Sequence, residues 1–231
     1  MGSGADRWER FAQDDPLFFI ETDPGRRASL EEFLAGGRET AEWALELVGD
    51  GLARGRALEI GCGIGRTVTA LAEHFERVDG IDIAPTMVAR ARELGPPPNV
   101  HLEVTPGDGS IDHGDGEFDF VFSHLVLQHV PDEQVVARYL AETARVLRPG
   151  GRALLQFDSR PPSIAARLVH VLPDPLLPRR YRRHMRRVRR SPEGLDGLIA
   201  AAGLAAEREL GRGTADHWMV LVRPARATSA R

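Results

Sequence analysis

The stretch Ala57-Leu58-Glu59-Ile60-Gly61-Cys62-Gly63-Ile64-Gly65-Arg66 limits the possible folds more than any other part of the chain. Leu58 and Ile60 suit a buried strand, and Thr67, Leu71 and Phe75 recur at helical spacing. The three alternating glycines therefore form a turn from strand to helix. Glycine reaches backbone conformations closed to other residues there and lets a ligand approach without meeting a Cβ atom. Such a turn is either a ligand cradle or merely tight, and the elements around it must decide.

Downstream, Val78-Asp79-Gly80-Ile81-Asp82 reads as a second strand, and Pro85 sits well at the first position of a helix through Met87, Ala91 and Leu94. A right-handed crossover makes the two strands parallel, so the glycine turn and Asp82 share the carboxyl edge of the sheet. That geometry suits an adenosine, with a carboxylate accepting from the ribose hydroxyls. The dinucleotide fingerprint asks for its third glycine one residue later, where this chain has Arg66. The pattern is G-x-G-x-G, which disfavours a nicotinamide cofactor.

Ser29-Leu30-Glu31-Glu32 is a capping box that starts a helix at Leu30. Gly36-Gly37 is expected to interrupt it, with Thr40, Ala44, Leu47 and Val48 on a second helix ending near Gly49-Asp50-Gly51. Upstream, Trp8, Phe11, Phe18 and Phe19 predict a segment packed over the body of the fold. The chain has 231 residues, 42% apolar and 28% charged, which fits one large domain or one domain with an appendage. No apolar stretch approaches the ~20 residues of a membrane span, and the first ten residues lack a secretory signal's apolar core. A cytoplasmic enzyme is the expectation. The single cysteine, Cys62, forms no internal disulfide and has no zinc-ligand spacing around it.

Glu59-Ile60-Gly61-Cys62-Gly63-Ile64-Gly65, followed by Gly80-Ile81-Asp82-Ile83-Ala84-Pro85-Thr86-Met87, resembles the cofactor-binding half of class I S-adenosylmethionine-dependent methyltransferases. Further stretches extend the match from Ala57 to Pro224. Asn99 to Thr105 suits a third strand and Phe118 to Ser123 a buried fourth. Asp132 caps the next helix, and Leu147-Arg148-Pro149-Gly150-Gly151 resembles the family's turn into a fifth strand, Arg152 to Phe157. Ser191-Pro192-Glu193 starts a helix that Gly203 stops, and Leu204–Leu210 and His217–Val222 read as the last strands. The resemblance implies an α/β, Rossmann-like fold: a seven-stranded, mostly parallel sheet with an antiparallel last strand and helices on both faces. Residues 1–52 are then an N-terminal helical cap and 53–231 the cofactor-binding domain, with a lid inserted at about 160–190.

The same resemblance implies roles by position. Gly61, Gly63 and Gly65 would lie against the methionine part of S-adenosylmethionine. Glu59 would orient the loop or meet the amino group through water. Asp82 would take the ribose, and Ile83 and Met87 would bracket the adenine. Asp108, beside Gly109, is either a partner for the adenine amine or a turn acid. Ser123 and His124 would lie beside the sulfonium and the acceptor.

Transfer of a methyl group from sulfonium needs an in-line nucleophile, and a base only where that nucleophile carries a proton. His124, His129 and His217 are the candidates, since histidine titrates near neutrality. No metal is expected, because Leu125, Val126, Leu127 and Gln128 beside His129 offer no acids.

Arg179 to Arg190 holds eight arginines in twelve residues. Leu177, Tyr181, Met185 and Val188 form one stripe on a helix beginning at Pro178, which predicts an amphipathic lid with its arginines outward. The expectation is methyl transfer to oxygen or nitrogen of a small molecule, acidic in one reading, in a biosynthetic pathway. An RNA substrate for the arginine face and a cofactor-binding protein without transfer activity are the alternatives. RNA is the weaker reading, for the tetrapeptide of adenine methylation is absent and Cys62 lies in the loop. Nothing in the sequence sets the oligomeric state.

Overall fold

A computed structural model describes residues 8–10, 12–13, 29–161 and 187–225. In chain order these form α1 (Leu30–Val48), β1 (Arg56–Ile60), α2 (Arg66–Leu71), β2 (Arg77–Asp82), α3 (Pro85–Glu93), β3 (Val100–Val104) and β4 (Phe118–Ser123). A single turn of 3-10 helix (Leu127–His129) follows, then α4 (Glu133–Val146), β5 (Leu147–Phe157), α5 (Pro192–Ala201), β6 (Ala205–Leu210) and β7 (His217–Val222).

The strands make one seven-stranded sheet in the order β3-β2-β1-β4-β5-β7-β6. β1, β2, β3, β4 and β5 run parallel to one another, whereas β7 is antiparallel to both β5 and β6. The reversal of strand order between β1 and β4 leaves a crevice at their carboxyl ends, where open sheets of this kind bind ligands. One apolar layer packs Leu58, Ile60, Val121 and Leu155 against Leu140 of α4 and Leu195 of α5. The other packs Ala57, Phe120, Phe122 and Leu154 against Ala44 of α1, Leu71 of α2 and Val88 of α3. β4 is buried along its whole length, as a central strand covered on both faces must be.

Local signals set the helix starts. The Ser29 hydroxyl accepts the Glu32 N–H at 3.2 Å while the Glu32 carboxylate accepts the Ser29 N–H at 2.9 Å. Asp132 caps α4 and Ser191 caps α5 through their side chains, and Pro85 opens α3.

Three expectations need correction. α1 is one helix of 19 residues that runs through Gly36-Gly37 without a break. A Cβ on Gly37 would lie 2.3 Å from the backbone oxygen of Arg66, so this glycine is the price of close contact between α1 and the start of α2. β5 begins at Leu147 rather than Arg152, with Gly150 at φ 81° inside it. Arg190 does not point outward: it is 7% exposed and donates to the backbone oxygens of Leu127 at 3.2 Å and Val130 at 2.5 Å. The helix predicted from Pro178, with Leu177, Tyr181 and Met185, lies outside the described residues, as do Phe11, Phe18 and Phe19. Ala12 is fully buried and, with Trp8, packs over Phe33, Ile64, Ala84 and Met87.

Candidate active site

The crevice is built around the glycine turn. Gly61, Gly63 and Gly65 adopt φ of 79°, 53° and 91°, a region that side-chain-bearing residues avoid. The N–H groups of Gly61 and Cys62 both donate to the Ile81 oxygen, at 2.7 and 3.1 Å, so the turn hangs from the end of β2. Asp82 completes the attachment. One carboxylate oxygen accepts the Gly63 N–H at 2.9 Å and the other accepts the Ala84 N–H at 2.9 Å. Burial raises the Asp82 carboxyl above the ordinary range, against the lowering effect of these N–H groups.

Glu59 lies beneath the turn, 4% exposed, and its Oε2 has no hydrogen-bond partner among the described residues. Burial pushes its pKa up to about 8, with the nearby Arg66 guanidinium acting in the opposite direction. A buried carboxyl with an unpaired oxygen fits an amino group arriving from the crevice, because a cation beside it would stabilise the ionised form. The residues present therefore fit the methionine end of an S-adenosylmethionine cofactor.

Ile83 is half-buried and packs on the 106–110 loop, where a Cβ on Gly107 would lie 2.7 Å from its Cγ2. Gly109, at φ 90°, meets α4: a Cβ there would lie 2.6 Å from the Val135 oxygen. Asp108 is held as a turn acid. It accepts the Ser110 N–H at 2.9 Å and the Ser110 hydroxyl, and pairs with Arg138 at 2.8 Å. Met87 is 4% exposed beneath Ala12 and Phe33, so its side chain is packed under the N-terminal segment. Glu9 of that segment accepts the Thr86 N–H at 3.0 Å and also the Thr86 hydroxyl, docking the segment beside Asp82.

At the end of β4, the buried Ser123 hydroxyl donates to the Ile60 oxygen at 3.1 Å and ties β4 to β1. His124 follows, its ring 4.9 Å from that of Trp218 and 6.3 Å from that of Phe122. Burial, with Arg66 and Arg187 nearby, drives its pKa down to about 3, so the ring is neutral at physiological pH. Leu125 adopts φ 59°, and its N–H donates to the Gln156 side-chain oxygen at 2.9 Å. His129 stands in the 3-10 turn, its ring 5.5 Å from Trp8 in an edge-to-face contact. His217 begins β7. Its side chain is fully buried and its Nε2 is hydrogen-bonded to Glu209 of β6.

Two residues that the sequence did not single out stand at this edge. Gln156 bridges Leu125 to Asp216, and Gln128 is fully buried in the 3-10 turn. Neither carries a local signal, since a glutamine at the end of a strand or in a turn reads as an ordinary polar residue. Among the described residues, no group of three or more histidine, cysteine or acidic side chains could hold a metal ion. No helix of the described residues is long and apolar enough to cross a membrane.

Strand order, glycine turn and the acid closing β2 are the arrangement implied by the resemblance to class I S-adenosylmethionine-dependent methyltransferases. Residues 58–155 match the family described as "Methyltransferase domain", a segment that contains the turn, Asp82 and the His124–His129 loop. A 2-methyl-6-phytyl-1,4-hydroquinone methyltransferase of Synechocystis is 41% identical over 96 residues, which are 41% of this chain and 29% of that protein. A ubiquinone biosynthesis O-methyltransferase of Xanthomonas oryzae is 34% identical over 117 residues, 50% of this chain and 48% of that protein. The matched regions thus span about half, or less, of these curated relatives. Among solved structures, the magnesium protoporphyrin IX methyltransferase of Synechocystis with bound SAH superposes with a TM-score of 0.66 at 19% identity, covering 96% of this chain and all of that one. An S-adenosylmethionine-dependent methyltransferase of Mesorhizobium loti gives 0.61 at 21% identity, covering 82% of this chain.

Proposed function

We propose that this protein transfers the methyl group of S-adenosylmethionine to an oxygen or nitrogen of a small-molecule acceptor in a biosynthetic pathway of the cytoplasm. The observation that carries the reading is the Asp82 carboxylate. It staples the glycine turn to the start of α3 at the crevice, with the Glu59 carboxyl, one oxygen of which is unpaired, beneath the same turn. The names of the Synechocystis and Xanthomonas relatives favour a hydroxyl-bearing ring as acceptor.

When bound, the cofactor supplies a methyl group on a positively charged sulfur, already open to displacement. The chain's own work is then to bind, orient and exclude water. Glu59 and the turn hold the amino-acid end, and Asp82 offers its remaining lone pairs to the ribose. Ile83 lines the adenine side, with Asp108 and Gly109 at its rim. Ser123 and the Leu125–Gln156 bond fix the end of β4 against β1 and β5. His124 stays neutral and serves as a wall or hydrogen-bond acceptor. His129 is the better candidate to take a proton from a hydroxyl acceptor, because a base of pKa about 3 has little drive to do so. Arg66 and Arg187, both close enough to depress His124, favour an acceptor that carries a negative charge.

Titration calorimetry with S-adenosylmethionine tests the reading. Binding by wild type that weakens at least about tenfold in Asp82→Ala is expected. No binding, or equal binding by the variant, overturns it. Tight binding without turnover on a broad panel of acceptors would point to a protein that uses the cofactor structurally.

A further inference from the structure

The sheet ends in β3 on one side and β6 on the other, and the two edges are not alike. β6 carries a register shift between Ala206 and Arg208, and its acids are committed: Glu207 pairs with Arg152, and Glu209 with Arg212 and His217. Such a bulged, charged edge resists a further strand. β3 pairs with β2 without a shift, and Val104 at its end is 48% exposed. The Asn99 oxygen accepts the Val78 N–H and the Thr105 N–H donates to the Asp82 oxygen, each at 2.9 Å. Alternate residues therefore turn their backbone toward β2, and Val100, Leu102 and Val104 turn theirs outward. Of these outward groups, the Pro97 oxygen holds the Val100 N–H, and the exposed Arg92 guanidinium donates to the Leu102 oxygen. The N–H groups of Leu102 and Val104 have no partner among the described residues.

The side chains make this edge complementary to itself. Val100-His101-Leu102-Glu103-Val104 reads alike in both directions except at its two polar positions, which are an imidazole and a carboxylate, both exposed. A two-fold axis perpendicular to a sheet keeps each side chain on its own face, and opposed residues must share a face. The axis therefore passes at a residue and never between two. At Leu102 it sets Val100 against the partner's Val104 and His101 against the partner's Glu103. At Glu103 it would set two carboxylates face to face, and at His101 it would leave Glu103 opposite Asn99. One register alone satisfies the whole strand.

We propose that β3 is a self-association edge, where two copies of this chain pair antiparallel through Val100–Val104 about a two-fold axis at Leu102. Each Leu102 N–H donates to the partner's Leu102 oxygen, which Arg92 gives up by swinging into water. Each Val104 N–H donates to the partner's Val100 oxygen. His101 and the partner's Glu103 form a pair without backbone bonds between them, the position where opposed side chains come closest. The exposed Val104 is covered by the partner's Val100. An edge of five residues lies at the small end of interface sizes, so the dimer is weak, with a Kd of ~10–100 µM. The inference stands independently of the methyl-transfer reading.

Sedimentation equilibrium of the full chain from about 5 to 500 µM tests the proposal. Wild type is expected to reach a dimer and no larger species, because a two-fold pairing closes on itself. His101→Glu sets two carboxylates opposite each other on both sides of the axis and should weaken association at least about tenfold. The double variant His101→Glu with Glu103→His exchanges the pair and should restore association to within about threefold of wild type. Val104→Pro removes an outward N–H at an exposed position, where an edge strand tolerates proline, and should abolish the dimer. Arg92→Ala removes the competing donor and should tighten association at least about threefold. If the proline variant loses its circular dichroism, the charge exchange decides alone. A wild type that stays monomeric throughout overturns the proposal and leaves the edge to a strand of another protein. Growth beyond a dimer, association indifferent to His101→Glu, or no restoration in the double variant overturns it too. Absence of tightening in Arg92→Ala overturns the register at Leu102.

Discussion

Gln156 holds Leu125 in place: its side-chain oxygen accepts the Leu125 N–H at 2.9 Å, where Leu125 adopts φ 59°. Leu125 is the sole non-glycine residue with positive φ among the described residues. Such a conformation costs about 1–3 kcal/mol and persists where its surroundings over-determine it. Next in the chain, Val126 packs on the glycine turn, its Cγ2 2.2 Å from where a Cβ on Gly61 would stand. Gln156, strand β4 and the cofactor cradle are thus mechanically linked. Gln156→Leu is expected to lower stability by about 1–3 kcal/mol in urea unfolding. It should also reduce kcat/KM by more than it weakens cofactor binding. Equal stability would mean that the bond contributes nothing to the loop.

The glycine pair in α1 separates two effects. Gly37→Ala forces a Cβ to within 2.3 Å of the Arg66 oxygen, which is backbone and cannot turn aside. A loss of about 1–3 kcal/mol is expected as α1 lifts from α2. At Gly36 the nearest atom is the flexible Arg66 Nη1, 3.6 Å away, so Gly36→Ala should stabilise by about 0.5–1 kcal/mol through helix propensity. Similar melting of the two variants would refute the close contact.

Glu59, with its pKa pushed to about 8, is mostly protonated at pH 7 in the free protein. An ammonium bound beside it lowers that pKa, so cofactor binding should release up to about one proton and tighten as pH rises from 6 to 8. Calorimetry at pH 7 in two buffers of different ionisation enthalpy measures the release, and Glu59→Gln should abolish it. The folded pKa lies above the ordinary 4.5, so ionisation favours the unfolded chain. This group's stabilisation is complete below about 4.5 and is lost as pH rises toward 8.

His124 titrates in the opposite sense. Its folded pKa of about 3 lies below the ordinary 6.5, so its contribution to stability is full above 6.5 and is lost as pH falls toward 3. Between pH 5 and 9 the ring stays neutral, and His124→Gln should leave the shape of the kcat pH profile unchanged. Loss of an acid limb in that variant would show that the ring does titrate at work. His129→Ala, by contrast, should lower turnover by ~10² if a proton must be removed. Unchanged turnover in both variants would mean that positioning suffices.

Features encoded within a few residues were legible in the sequence alone. The strand, G-x-G-x-G turn and helix at Gly61–Gly65, the acid that closes β2, the caps at Ser29, Asp132 and Ser191, and the antiparallel β7 all follow from periodicity, cap chemistry or a family pattern. All but the direction of β7, which the family pattern implied, depend on side chains near one another in the chain, so no distant group can reverse them cheaply. Tertiary structure decided what depends on distant partners. Position 37 of the continuous α1 is glycine because Arg66, far along the chain, leaves no room there for a side chain. Glu209 engages His217 from a neighbouring strand, and Arg190 turns inward to donate to the Leu127 and Val130 oxygens. Pairing of Gln156 and isolation of Gln128 likewise arise only when β4, β5 and the 187–190 segment come together. Burial and hydrogen-bond satisfaction are properties of the packed chain, whereas strand, turn and cap are properties of the local one.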